Sequence, residues 1–223
     1  MNAEKPETTV EVGENLIHFI ARSPSVFHAV HGVKEALLYS GFTEIREEDP
    51  WHIEKGGKYV VTRNGSALIA FTVPEEGARS FHIMASHADS PCFKIKENPE
   101  IKEGPYVKLN VEGYGGMIMS TWLDRPLSVA GRLIVRENGH LAQKLAAVDG
   151  TMLVIPSVAI HMDRNVNHKK DWNVQKDLLP LYGLATEKTS FMDVIAASAN
   201  VKTEDIVAHD LYLYSRVPGT IWG

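Results

Sequence analysis

Cysteine is nearly absent from this sequence, which contains one, Cys92, among 223 residues. No intramolecular disulfide can form, which excludes the class of small secreted domains held together by disulfides. An excess of basic residues is also absent, because 23 lysines and arginines stand against 28 aspartates and glutamates, for a formal net charge of −5. This balance argues against nucleic acid as the main partner.

Long hydrophobic runs are missing as well. No apolar stretch approaches the roughly 20 residues that a membrane-spanning helix requires. Residues 1–13 are polar and acidic, and they lack the basic start and apolar centre of a secretory signal peptide. We therefore expect a cytoplasmic protein without a membrane partner. The chain does contain 44% hydrophobic residues, which is enough for a substantial core.

The N-terminal part of the chain combines helix and strand patterns. An apolar cluster at 16–20 predicts a short helix, and a second helix is predicted to start near Ser23 and to end at Gly41. Strands are predicted to follow at residues 58–62, 67–73 and 81–86, the first two joined by a turn that contains Asn64 and Gly65. Helices followed by strands indicate the first part of an α/β sheet domain.

The pattern changes near residue 95, beyond which short strands predominate. They are predicted at residues 106–111, 117–122, 127–135 and 152–155, whereas residues 211–214 are predicted to form a strand that leads back to the first domain. Asn138 and Gly139 predict a tight turn, and residues 190–199 predict a helix with a hydroxyl cap. Runs of short strands without intervening helices are typical of a barrel or a sandwich, so we expect a strand-rich module here.

His87 and Asp89 form the most informative motif of the chain. His87 follows the apolar run 81–84, so it is predicted to lie at the end of a strand, where α/β enzymes place metal ligands. In an extended chain residues i and i+2 point to the same side, so Asp89 can accept the spare N–H of the ring and fix its tautomer. A lone His-X-Asp is also common by chance, so the motif by itself leaves the metal role open.

A second His-X-Asp motif occurs at His161 and Asp163. A purely local interpretation gathers the motif residues into one self-contained metal cluster of His87, Asp89, His161, Asp163 and His168. A structural interpretation makes His161 a hydrogen-bonded core histidine, because the apolar residues 158–160 precede it. Both interpretations remain open on the residues alone.

Asp124 and Arg125 are an adjacent pair of opposite charge between apolar strands. Arginine does not release its proton near neutral pH, so the pair is unsuited to acid–base catalysis. We interpret it as a structural ion pair or as the anchor of a turn.

Four long blocks of the chain, taken together, resemble one known family. They are SHADSPCFKIKENP at 86–99, and residues 114–135, 155–167 and 175–181. In this order and spacing they resemble the M18 family of zinc aminopeptidases, the aspartyl-aminopeptidase-like enzymes, and the likeness runs from Leu16 to the last residue. The resemblance implies an exopeptidase with two zinc ions per site, which removes N-terminal residues, often acidic, from peptide substrates. It also implies a large homo-oligomer built from dimers.

The resemblance implies a domain organisation. Residues 1–95 correspond to the first half of the zinc-exopeptidase α/β sheet domain, residues 96–208 to an inserted β-rich dimerisation domain, and residues 209–223 to a strand that returns to the first domain. In the family, the bridging aspartate, a Glu-Glu pair with the general base, another aspartate and a final histidine come after this point. We therefore expect a fragment of about half the usual length.

Residue roles follow from the resemblance as well. His87 matches a zinc ligand, and Asp89 matches the carboxylate that orients it. His161 matches a histidine that reaches into the active site of a neighbouring subunit and hydrogen-bonds the oxyanion of the tetrahedral intermediate. The alternative for the chain as it stands is a non-catalytic oligomerisation or interaction module derived from such an enzyme.

Overall fold

The computed structural model describes residues 8–168, 170–186 and 189–222. The start of the polar N-terminal segment, at residues 1–7, and the last residue of the predicted return strand, Gly223, lie outside the described residues. The chain forms two compact units, Met1–Ser90 with Gly219–Gly223 and Pro91–Pro218. No helix in the described ranges has the length and apolar character needed to cross a membrane.

The first unit contains two helices and a three-stranded sheet. Its elements are α1 (Thr9–Ala21), α2 (Val26–Tyr39), β1 (Thr43–Glu44), β2 (Lys58–Arg63) and β3 (Ala67–Thr72), and the sheet has the order β1-β2-β3. The predicted hairpin of β2 and β3 is confirmed, and its turn places Asn64 and Gly65 at φ of 51° and 64°. Only residues that tolerate positive φ fit such a turn.

The second helix is also confirmed, although it begins later than predicted. Ser25 rather than Ser23 is the N-cap of α2, and its hydroxyl accepts the N–H of His28. Phe27 and Val30 on one face of the helix are buried, and the helix ends before Gly41, whose φ is 83°. A cap and a short apolar stripe therefore define this helix.

The strand predicted at 81–86 is wrong. These residues have no regular secondary structure, and the side chains of Phe81, Ile83 and Met84 are 87%, 83% and 99% exposed. A strand needs a hydrogen-bonded neighbour, and no strand of the described chain pairs with this segment. His87 therefore follows an irregular exposed segment and not the end of a paired strand.

The second unit is built on a six-stranded antiparallel sheet. Its strands are β4 (Cys92–Glu103), β5 (Tyr106–Tyr114), β6 (Leu127–Glu137), β7 (His140–Ala147), β8 (Leu181–Leu184) and β9 (Ile206–Ser215), in the order β7-β6-β9-β4-β5-β8. Residues 153–155 link β6 to β8, because Leu153 bridges to Leu127 of β6 and Val154 bridges to Leu181 of β8. Hydrogen bonding thus continues from β6 to β8, in agreement with the predicted barrel-like module.

The core of the second unit lies inside this curved sheet. Alternate residues of the strands point inward and are fully buried, including Phe93 of β4, Leu109 of β5 and Leu211 of β9. The predicted C-terminal helix is confirmed as α4 (Phe191–Ser198), which covers the core with Phe191 and Ile195. A shorter helix, α3 (Val174–Asp177), precedes β8.

Three further features differ from the sequence predictions. Residues predicted as a strand at 117–122 form a 3-10 turn, Met119–Trp122. The strand predicted at 211–214 is part of β9, which pairs with β6 and β4 and so lies within the second unit. The chain rejoins the first unit only at Gly219, and the boundary before the second unit falls at Ser90 and Pro91 instead of residue 95. The inward alternation of β9 into the barrel core explains this placement.

Candidate active-site residues

His87 and Asp89 meet as their spacing predicts. The Nδ1 atom of His87 lies 3.0 Å from Oδ1 of Asp89. The carboxylate accepts the Nδ1 proton, which leaves Nε2 with the lone pair that a metal ion would use. The His87 side chain is 93% exposed and that of Asp89 is 33% exposed, so Nε2 is open to a ligand. An imidazole held in one tautomer by a carboxylate is a donor that suits zinc.

The described residues do not assemble a complete metal site. Across ranges 8–168, 170–186 and 189–222, no group of three or more histidine, cysteine, aspartate or glutamate side chains is placed to hold a metal ion. A catalytic zinc uses three protein ligands and one open position. The five-residue local cluster is therefore wrong for the described part of the chain. The His87–Asp89 pair offers one candidate ligand, which is fewer than a catalytic zinc requires.

His161 lies in an exposed loop, residues 156–168, of the second unit. The interpretation of His161 as a core histidine is wrong, because the residue is exposed and so are Val158, Ile160 and Met162 around it. The Met162 N–H donates to the Ala159 carbonyl at 2.8 Å, which makes a turn around the histidine. The loop thus presents an imidazole among apolar side chains at the surface of this chain.

The second His-X-Asp motif does not repeat the geometry of the first. The carboxylate of Asp163 binds Nζ of Lys170 at 2.5 Å. The hydrogen bond from Lys170 holds the pKa of the Asp163 carboxyl below its usual value. Lys170 also lies over the ring of Trp172, with Nζ 4.7 Å from the ring centroid. The Asp163 carboxylate is therefore engaged in an ion pair that stabilises the loop, and it does not contact His161 as Asp89 contacts His87.

Asp124 is a turn anchor, one of the two interpretations drawn from the sequence. Its φ is 56°, its Oδ1 accepts the Ser157 N–H at 2.8 Å, and its own N–H donates to the Ile155 carbonyl at 2.9 Å. The hydrogen bond from Ser157 lowers the pKa of the Asp124 carboxyl. Both residues are described, and no ion pair joins Asp124 to Arg125, whose buried Nε has no hydrogen-bond partner.

His209 is a polar core residue that the sequence analysis missed. It is buried on the same face of β9 as Leu211 and Leu213, and neither ring nitrogen has a hydrogen-bond partner. Burial lowers the pKa of His209, because the charged ring would lose its hydration. The alternation 209, 211, 213 was the available signal, since it extends the inward face of the strand by one residue.

Comparison with known proteins identifies one family. The family model for the aminopeptidase I zinc metalloproteases (M18) matches residues 19–223. A probable M18 family aminopeptidase 2 from Clostridium acetobutylicum is 46% identical in an alignment of 223 residues. The alignment covers 96% of this chain and 52% of the relative. The chain therefore spans about half the length of this curated relative.

Solved structures show the same fold. A chain in the cryo-EM structure of the Ape4 and Nbr1 complex superposes with a TM-score of 0.88 at 32% identity, over 94% of this chain and 45% of that one. The dodecamer of mApe1 from S. cerevisiae gives a TM-score of 0.78 at 23% identity, over 96% of this chain and 50% of that one. With the family model matching from residue 19 to residue 223, the chain belongs to the M18 family of aminopeptidases.

Proposed function

We propose that the complete protein of which this chain is part is a metal-dependent aminopeptidase that removes N-terminal residues, acidic ones among them, from peptides. The observation that carries the proposal is the His87–Asp89 pair, joined at 3.0 Å within the stretch that matches the M18 model. The proposed protein acts in the cytoplasm and has neither nucleic acid nor a membrane as a partner. Its net charge of −5 supports the absence of a nucleic-acid partner.

His87 binds a metal ion through Nε2 in this proposal, and Asp89 holds the ring in the required tautomer. The cofactor is zinc, two ions per site, which supply Lewis acidity and lower the pKa of a water molecule. The other ligands and the general base belong to the part of the protein that corresponds to the remaining length of the Clostridium relative, of which this chain covers 52%. Loss of Asp89 would leave the imidazole free to adopt the wrong tautomer.

His161 acts in a neighbouring subunit. Its exposed loop lies in the second unit, whereas His87 lies in the first. We assign the second unit to dimer contacts and the complete protein to a homo-oligomer built from dimers. In such an assembly the ring of His161 donates a hydrogen bond to the oxyanion that forms when the peptide carbonyl is attacked. A preorganised donor of this kind contributes about 3 kcal/mol, or about 10²-fold to 10³-fold in kcat.

Complementation between two inactive variants tests the proposal in the complete protein. We expect His87→Ala to lower both activity and zinc content, and His161→Ala to lower kcat while zinc content is unchanged. When the two variants exchange subunits, some sites combine an intact His87 with an intact His161, and part of the activity returns. Two exposed histidines serve as matched controls: His82→Ala in the segment before His87 and His168→Ala in the loop of His161.

Two outcomes would contradict the proposal at different points. If mixed oligomers form by mass spectrometry and remain inactive, His161 does not act in a neighbouring subunit. If the unmodified complete protein does not cleave aminoacyl-p-nitroanilides in the presence of zinc or manganese, the aminopeptidase assignment itself is wrong.

A non-catalytic oligomerisation module is the second candidate. It is favoured by the self-contained core of the second unit and by the incomplete metal site in the described residues. The coding sequence beyond Gly223 separates the two candidates. An aspartate-containing metal segment followed by a Glu-Glu pair supports the enzyme, and its absence supports the module.

A further inference from the structure

The loop that carries His161 is attached to the second unit on its N-terminal side by Asp124. The Oδ1 atom of Asp124 accepts the Ser157 N–H at 2.8 Å, and the Asp124 N–H donates to the Ile155 carbonyl at 2.9 Å. Asp124 stands just before β6, and Leu127 at the start of that strand is fully buried. The first residues of the loop are thereby connected to a rigid strand of the barrel.

The other side of the loop is attached through Asp163. Its carboxylate binds Lys170 at 2.5 Å, and Lys170 lies over the ring of Trp172 at 4.7 Å. Trp172 is partly buried and packs against the core of the second unit. A continuous set of contacts thus runs from the core through Trp172 and Lys170 to the residue two positions after His161.

Between these two attachments the loop buries little apolar surface of its own. Val158, Ile160 and Met162 are exposed, so packing against the barrel does not set the position of His161. Hydrogen bonds inside the loop, from Met162 to Ala159 and from His168 to Asn165, shape its turns but do not connect it to the barrel. Among the described residues, the polar contacts of Asp124 and Asp163 connect the loop to the barrel.

We propose that Asp124 and the Asp163–Lys170 pair are positioning residues that hold the His161 imidazole in the place required by the neighbouring active site. The inference rests on the catalytic role proposed for His161. None of these three residues touches the substrate in this proposal. Each acts by restricting the loop, and a displacement of about 1 Å is enough to lower the rate of a positioned reaction about 10²-fold.

Paired substitutions separate the hydrogen bonds from other effects. Asp124→Gly removes the acceptor and retains a residue that tolerates φ of 56°, whereas Asp124→Asn retains both the acceptor oxygen and that tolerance. Lys170→Met removes the charge, whereas Lys170→Arg retains it. Lys144→Met is the matched control, because it breaks a similar ion pair, with Glu137 at 3.0 Å, at the end of β6 that is remote from Asp124.

Amide hydrogen exchange measures the restriction of the loop without reference to activity. In the 223-residue chain we expect the N–H groups of Met162 and His168 to exchange at least about tenfold faster in Asp124→Gly and Lys170→Met. Exchange remains unchanged in Asp124→Asn, Lys170→Arg and Lys144→Met. Equal exchange in all five variants, each shown to be folded by a cooperative thermal transition, overturns the inference.

Kinetics in the complete protein measure the consequence for catalysis. We expect Asp124→Gly and Lys170→Met to lower kcat about tenfold, with KM and zinc content unchanged and with recovery in the Asn and Arg variants. If His161→Ala lowers kcat and these two variants do not, only the positioning inference fails. If His161→Ala leaves kcat unchanged, the proposed role of His161 fails, and the catalytic role of its attachments fails with it.

Discussion

Acid should destabilise the first unit through His28. The ring of His28 is partly buried on α2, and its Nδ1 lies 2.8 Å from the Ser25 hydroxyl. Burial, with a smaller contribution from the charge of His31, lowers the pKa of His28 from 6.5 to about 4. Between these two values the unfolded chain binds a proton that the folded chain does not. The free energy of unfolding therefore has its full value above pH 6.5, and the part linked to His28 is lost as the pH falls towards 4.

The size of this loss of stability follows from the difference between the two pKa values of His28. A gap of about 2.5 pKa units corresponds to about 3.4 kcal/mol when fully expressed, at 1.36 kcal/mol per unit. Because the His28 ring is only partly buried, water screens part of this penalty, and we take about half, or about 1.7 kcal/mol. About 1 kcal/mol of it should be lost between pH 7 and pH 5.

Replacing His28 by glutamine removes the titration and keeps a polar group next to Ser25. The free energy of unfolding can be measured from urea-dependent amide exchange of peptides that cover α2, corrected for the intrinsic exchange rate at pH 7 and pH 5. We expect His28→Gln to lose about 1 kcal/mol less than the unmodified chain over this interval. The exposed His52→Gln is the control. An unchanged pH dependence in His28→Gln would refute the reasoning.

Three further predictions concern the second unit and the isolated chain. Gly131→Ala should destabilise the second unit by more than about 3 kcal/mol, because an added Cβ would lie 1.9 Å from the Asp210 carbonyl oxygen. Thermal unfolding measures the loss, and Gly116→Ala is the control, because an added Cβ there has nothing within 4 Å. His209→Leu should stabilise the second unit by about 1 kcal/mol at pH 7, because it removes two buried ring nitrogens that have no hydrogen-bond partner. The gain should be larger at pH 5, because the lowered pKa of His209 costs stability as the pH falls below 6.5. A urea titration that shows no gain in the free energy of unfolding would contradict this. The 223-residue chain should not cleave aminoacyl-p-nitroanilides even with zinc or manganese, because one imidazole does not hold a catalytic metal ion; turnover that is lost in His87→Ala would show that the chain completes a site by itself.

The features that could be predicted from the sequence depend on residues close together in the chain. Asn64 and Gly65 form the turn of the first hairpin, Asn138 and Gly139 form that of the second, and the Ser190 hydroxyl caps α4. The His87–Asp89 contact belongs to the same group, because it needs only an extended backbone over three residues. Short-range stereochemistry and hydrogen bonding determine such features wherever the rest of the chain lies.

Features that depend on distant partners were decided by the tertiary structure. The apolar pattern of residues 81–86 predicts a strand, yet no neighbouring strand in the described chain pairs with these residues. His161 follows apolar residues that resemble a core segment, yet its loop is exposed and is attached through Asp124 and Lys170. Strand pairing and burial require a partner from elsewhere in the chain, which a local pattern does not specify. The contact between His87 and Asp89 could therefore be predicted from three neighbouring residues, whereas the exposure of His161 was established only by the fold around it.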